Sequence, residues 1–270
     1  MYLLERLSEP TSITLSDWKS FSLYCFVILV YRIIMTKFIL VKIGRSLKIK
    51  RTFKFVHRSF DMIHYIASAI TGLISVTQSP YGKCVFWAGN CRELLLPTKH
   101  VFICTFIEKV YYYVFTGYYV VDIFYIYTSS EVLMMICHHA ITLTMIFLSV
   151  AANVPAIGLC VMLLHDVVDV PLYVGKIMLY CGLNHIKDVS FVTFAILCTY
   201  FRITNFPQIV YYTLTNSPRV YEYKWAYLIA GWLLVVLYGL HLIWEYKIFT
   251  NVVGIIKGEK IHDNRSDKAE

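Results

Sequence analysis

Apolar residues run through this chain in long blocks. They do not alternate as in half-buried strands, nor recur every three or four positions as on one face of a surface helix. Seven blocks stand out, at about 20–41, 61–80, 100–127, 132–151, 155–181, 189–214 and 225–249. A bilayer core needs roughly 20 residues of helix to cross it, and each block comes close to that length. The pattern predicts an all-α integral membrane protein with about seven transmembrane helices. The third block is rich in aromatics and has the least distinct ends. No soluble domain fits between blocks, and no internal repeat is visible.

Composition agrees with this reading. The chain is 58% hydrophobic and 16% charged, against about 25% charged in soluble domains. The 22 Tyr and 17 Phe read mostly as lipid-facing and interfacial packing.

The net charge of +8 is unevenly placed. Lys42, Arg45, Lys48, Lys50, Arg51, Lys54 and Arg58 follow the first block with no acid among them. Such a cluster marks the cytosolic side, and it also suits anionic lipid or a phosphorylated substrate. No nucleic-acid partner is expected. Placing 42–60 in the cytosol puts the N-terminus, the 81–99 loop, the 152–154 turn and the 215–224 loop in the lumen. The tail is then cytosolic. The expected organisation is an N-terminal lumenal segment, first span and basic linker (1–60), a membrane domain (61–250) and a polar tail (251–270), read as disordered.

The start MYLLERLSEP lacks the layout of a cleaved signal, so the first span is expected to serve as the signal. The sequon at Asn264 falls in the cytosolic tail, away from the glycosylation machinery. Eight cysteines form no CxxC, and Cys84 and Cys91 share one loop, where an oxidising lumen would let them pair.

Charge inside the blocks changes the picture more than charge between them. The fourth block contains His138 and His139, and the fifth reads VMLLHDVVDVPL, with His165, Asp166 and Asp169. A tight link around Asn153 makes these two spans an antiparallel hairpin. His139 lies 14 residues before Asn153 and Asp169 lies 16 after it, which puts them about 21 and 24 Å from the turn, nearly level. The spacing of His165, Asp166 and Asp169 puts all three on one broad face. A carboxylate in a bilayer costs about 2.5–3.5 kcal/mol on insertion scales, so two of them call for partners, and imidazole is the obvious one.

A lone intramembrane histidine is commonly a hydrogen-bonded packing residue, but four polar residues at one depth argue against that. His241 and Glu245 form another i, i+4 pair and are read as structural. Arg202 is either a counter-ion to the carboxylates or a snorkelling anchor. Three chemistries fit: acyl transfer through an Asp-oriented His, a zinc or iron site, or a polar latch in a non-catalytic lipid binder. The metal reading is weakened by the single HH pair among nine His.

The stretch HHAITLTMIFLSVAANVPAIGLCVMLLHDVVDVPLYVGK resembles the signature of the TLC-domain family, and within it the ceramide synthases. The matching positions are His138, His139, Thr142, Gly158, His165, Asp166, Asp169 and Lys176. The segments YYYVFTGYYVVDIFY, YFRITNFPQIVYYT, LHLIWEYKI and DNRSD are similar to further parts of the family. The chain departs from it at Ala156, where an Arg is common, at Tyr173, where an acid is common, and at Glu131, which takes an Asp position.

The resemblance implies a helical bundle enclosing a lipid or acyl-chain cavity in the endoplasmic reticulum membrane. The implied reaction is N-acylation of a sphingoid base by fatty acyl-CoA, a co-substrate, with no cofactor and no metal. Membrane lipid and a homo- or hetero-dimer are the other partners it admits. His138, His139, Asp166 and Asp169 are the catalytic candidates, and Arg202, Thr142, Lys176 and His165 the substrate-binding ones. Two mechanisms stay open: a His as general base, or an acyl-His with His138 as nucleophile, His139 as its acid/base partner and the aspartates orienting. The acyl chain is expected to run towards the lumen, the basic stretch to meet CoA phosphates, and the 215–224 loop to set chain length. The alternative is a TLC-domain lipid-binding or lipid-sensing protein without catalysis.

Overall fold

A computed structural model describes residues 9–79, 103–129, 131–152, 154–216 and 224–256, with isolated positions 7, 82, 85 and 91. Seven main helices are present among the described residues: α1 (Trp18–Ser46), α2 (Thr52–Gln78), α3 (Phe106–Asp122), α4 (Val132–Ala151), α5 (Pro155–Tyr180), α6 (Asn184–Asn216) and α7 (Lys224–Ile256). Six of them are long and apolar enough to cross a membrane; α3, with 17 residues, falls short of that length and continues as a 3-10 helix over Ile123–Thr128. The protein is a multi-pass membrane protein.

Backbone proximity gives a closed neighbour order, α2–α3–α4–α7–α6–α5 and back to α2. α1 lies outside this ring against α3 and α2. It turns Leu23, Phe26, Val27 and Phe38 outwards, as a lipid-facing helix should. α5 is the hub, packed along α2 on one side and α6 on the other, with Leu159, Cys160, Leu163 and Leu164 fully enclosed. It makes much less contact with α4, its hairpin partner, so the two splay apart beyond their turn and leave space inside the ring.

The helix ends differ from the hydropathy reading for local reasons. α3 starts at Phe106 because Thr105 and Glu108 form a capping box, the Thr105 amide donating to Glu108 Oε2 at 2.7 Å. Just before it, Ile103–Thr105 pairs antiparallel with Pro10–Ser12, two strands too short to leave a periodicity.

The basic stretch expected as a loop is mostly helix. α1 runs to Ser46 and α2 begins at Thr52, with Lys48 in the left-handed region (φ 52°) at the corner between them. Lys42, Arg45, Lys48, Lys50 and Arg51 are exposed there. Charged helix turns can extend past the apolar slab, which hydropathy alone reads as the end of the helix. α7 likewise continues to Ile256. At the far end of α5, Gly182 (φ 74°) closes the helix, with its amide bonding to Leu179 and that of Leu183 to Met178.

Two glycines behave oppositely. A Cβ at Gly158 would overlap the Tyr112 hydroxyl and Ser149 Oγ, whereas one at Gly239 meets nothing within 4 Å. Gly158→Ala is therefore expected to destabilise by about 1–3 kcal/mol through overpacking. Gly239→Ala should stabilise α7 by up to about 1 kcal/mol. Thermal unfolding in detergent checks both signs.

Candidate active site

Two cavities meet inside the ring. The first is apolar. Its lining includes Thr142, Ser149, Gly158, His165, Tyr227 and Leu234 from α4, α5 and α7, so it runs from mid-bundle towards the α4–α5 turn. The second is polar and lies at the end of the bundle marked by Arg58, Thr128 and Lys176. Arg58, Asp122, His138, His139, Asp169, Lys176 and Arg202 line it, amid Tyr119, Tyr173 and Trp244. His165 lines both. The ring of His138 is centred 6.1 Å from that of His165, and Thr142, one turn along α4 from His138, faces the apolar side.

The hairpin matches the residue-count expectation: His139 and Asp169 line the same cavity. Within α5 the broad face divides. At about 100° per residue, His165 and Asp169 lie roughly 40° apart but His165 and Asp166 roughly 100°. His165 and Asp169 look into the polar cavity. Asp166 is 0% exposed and turns to the other side of α5, where its Oδ2 accepts from Ser68 Oγ at 2.6 Å and from the Tyr111 hydroxyl at 2.8 Å. It lines neither cavity.

Arg202 is a counter-ion. Its Nη2 donates to Asp169 Oδ1 at 2.8 Å and to the His165 carbonyl at 3.0 Å. It sits on a π-helical stretch of α6, Thr199–Asn205, a widened turn of the sort that often marks functional positions.

The histidines are held individually. His165 Nδ1 lies 2.6 Å from the Val161 carbonyl and must donate to it, which leaves Nε2 to accept from His241 Nε2 at 2.9 Å. His139 has an acceptor at each ring nitrogen: the Met135 carbonyl at 2.9 Å from Nδ1 and Asp122 Oδ2 at 3.1 Å from Nε2. His138 packs edge-on to Trp244, with Nε2 at 3.5 Å from the Tyr119 hydroxyl, the outer edge of hydrogen-bond range. Lys176 stands at the cavity wall, 5.6 Å from the Tyr173 ring.

The departures noted in the sequence have clear surroundings. Ala156 is buried in the apolar core, Tyr173 stacks on Tyr65 at 4.9 Å, and Glu131 pairs with Lys247. Cys91 is disulfide-bonded; Cys84, its expected partner, lies outside the described residues, as do Asn153, 217–223 and Asn264.

Sequence reasoning passed over Arg32, Asp61, Asp122 and Tyr119, and left His241 as structural. The three charged residues obey the same rule that singled out Asp166, namely a charge inside or beside an apolar block. Their pairing joins helices that are far apart in the chain: Arg32 bonds Asp122, 90 residues away, at 2.7 Å.

Residues 54–250 match a family model described as the TLC domain. Among curated proteins, the chain is similar to ceramide synthase 4 of Bos taurus, 33% identical over 50% of this chain and 35% of that one. It is similar to ASC1-like protein 1 of Oryza sativa, 26% identical over 93% of this chain and 89% of that one. It also resembles sphingosine N-acyltransferase lag1 of Schizosaccharomyces pombe, 24% identical over 79% of this chain and 57% of that one. The chain spans 35% and 55% of the length of the first two ceramide synthases it matches.

The Asp169–Arg202 pair gives a stability test. Arg202→Gln strands a largely buried carboxylate and should cost about 3–5 kcal/mol. The double change Arg202→Met with Asp169→Leu removes both charges and should cost less than half as much, read by thermal unfolding in detergent. Equal losses would show that the two charges do not depend on each other.

Proposed function

We propose that this chain, which belongs to the TLC-domain family, is an N-acyltransferase that joins the acyl group of a fatty acyl-CoA to a sphingoid base. The observation that carries this reading is the meeting of an apolar cavity and a polar one beside His138 and His165. A thioester spanning that junction has its alkyl chain among Met145, Ile157 and Leu234 and its CoA portion towards the polar mouth. Arg58 and Lys176 stand in that mouth, and the exposed basic corner lies at the same end of the bundle; both suit phosphates. The same basic corner supports an orientation in the endoplasmic reticulum membrane with the polar mouth and the C-terminus cytosolic.

In this reading His138 is the nucleophile. Its ring attacks the thioester carbonyl, the C–S bond breaks, and the ring proton leaves with the CoA thiol. The amine of the sphingoid base, having shed its ammonium proton to water, attacks the acyl-imidazole. The acyl–ring bond breaks, and the amine proton returns to the imidazole. Acyl-CoA is the co-substrate, and no cofactor is needed.

Asp169, held by Arg202 through one oxygen, presents a carboxylate to the incoming amine. Thr142 borders the acyl side and His165 the junction. Asp166 ties α5 to α2 and α3 through Ser68 and Tyr111, so its task is to position the helix. His139, engaged at both nitrogens, holds α4 in place.

The test is a microsomal assay with a sphingoid base and acyl-CoAs in a host lacking this activity. Wild-type protein should form N-acyl product. His138→Ala should fall to near background, since losing a nucleophile costs up to about 10⁶-fold in kcat, and Asp169→Asn should also fall. Background-level product in all three, at equal expression, would point to a lipid-binding or lipid-sensing protein.

A further inference from the structure

Four charged side chains beside the polar cavity form a linked set drawn from three helices. Arg32 of α1 is fully buried. Its Nη1 donates to Asp122 Oδ1 at 2.7 Å, and its Nη2 reaches Asp61 Oδ1 at 3.4 Å. Arg58 donates to Asp61 Oδ2 at 2.9 Å and to the Thr128 carbonyl at 3.2 Å, while the Tyr118 hydroxyl donates to Asp61 Oδ1 at 3.0 Å. The Arg32 guanidinium carbon lies 3.8 Å from the Tyr125 ring centre and 4.9 Å from that of Phe60, so aromatic faces replace part of the lost hydration.

Two arginines and two aspartates balance in charge. Even so, burying them costs more than apolar packing of the same volume, so stability alone does not explain the set.

The geometry at its edge suggests a use. Asp122 lines the polar cavity, and its second oxygen, Oδ2, takes His139 Nε2 at 3.1 Å. With Nδ1 on the Met135 carbonyl, the His139 ring is pinned from both sides. His138 is the preceding residue, about 100° away around α4. Pinning His139 therefore sets the rotation of α4 at this depth, and with it the direction of the His138 ring.

We propose that Asp122, anchored by the buried Arg32, is a positioning residue of the acyl-transfer site: the Arg32–Asp122–His139 clamp sets the rotation of α4 that presents His138 to the cavity. This rests on the acyltransferase reading above. It also gives α1, which precedes the residues that match the TLC domain, a part in the reaction although it lies outside the helix ring.

The test uses the full chain in detergent micelles with an acyl-CoA and a sphingoid base, with rates normalised to monodisperse folded protein. Asp122→Asn should lower kcat by about 100-fold, the scale of a misplacement near 1 Å, with the KM for both substrates little changed. Asp122→Glu should recover part of that loss. The double variant Arg32→Gln with Asp122→Asn keeps the Arg58–Asp61 pair intact and strands no charge, so it decides the matter if the single variant does not fold. It should fold and remain slow.

Wild-type kcat in the folded double variant would overturn the proposal, as would a loss in Asp122→Asn that lies wholly in KM or in the yield of folded protein. No product from the wild-type protein would remove the acyltransferase reading, and this proposal with it. That failure is distinct from an active wild type with an equally active double variant.

Discussion

A charged or polar group at membrane depth finds no water, so its partner must come from the protein itself. In this bundle that constraint selects which helices touch and at what rotation. Asp166 fastens α5 to α2 and α3 through Ser68 and Tyr111. Asp169 fastens α5 to α6 through Arg202, and His165 reaches α7 through His241. Arg32 and Asp122 fasten α1 to α3, and His139 extends that link to α4. Every helix is reached by one of these links.

The same links surround the space inside the ring. α4 and α5 leave their turn and diverge, which apolar packing alone would oppose by collapse. Polar ties from α5 to α2 and α3, and from α3 to α4, fix the helices around the apolar cavity between α4 and α5. At the other end two of the same residues, Asp169 and Asp122, line the second cavity. Scaffold and site are thus built from one set of side chains. Substitutions here are expected to mix effects on folding with effects on activity, so paired variants are needed to separate the two.

Much of this could be read from the chain. The bounds of α4 and α5 follow from the length of their apolar blocks and the tight turn between them, and the level placement of His139 and Asp169 follows from counting residues. Other features depend on context that hydropathy does not carry. The capping box at Thr105 moves the start of α3, and charged helical turns carry α1 and α2 beyond their apolar blocks. Asp61 and Asp122 pass for the edges of spans when taken singly, and Arg32 for a lone charge within one. Their meaning lies in pairings across 29 and 90 residues, which no local pattern shows. Spacing groups Asp166 with its neighbours, but a helix face about 100° wide is broad enough to serve two partners.

The central claim is that the junction of the two cavities is an acyl-transfer centre with His138 as nucleophile. The most direct measurement is mass spectrometry of peptides from purified protein incubated with acyl-CoA alone. The account predicts one acyl mass on the peptide spanning Val132–Ala151, localised to His138 and absent from His138→Ala. An unmodified peptide from protein that still converts acyl-CoA and sphingoid base to product would contradict it.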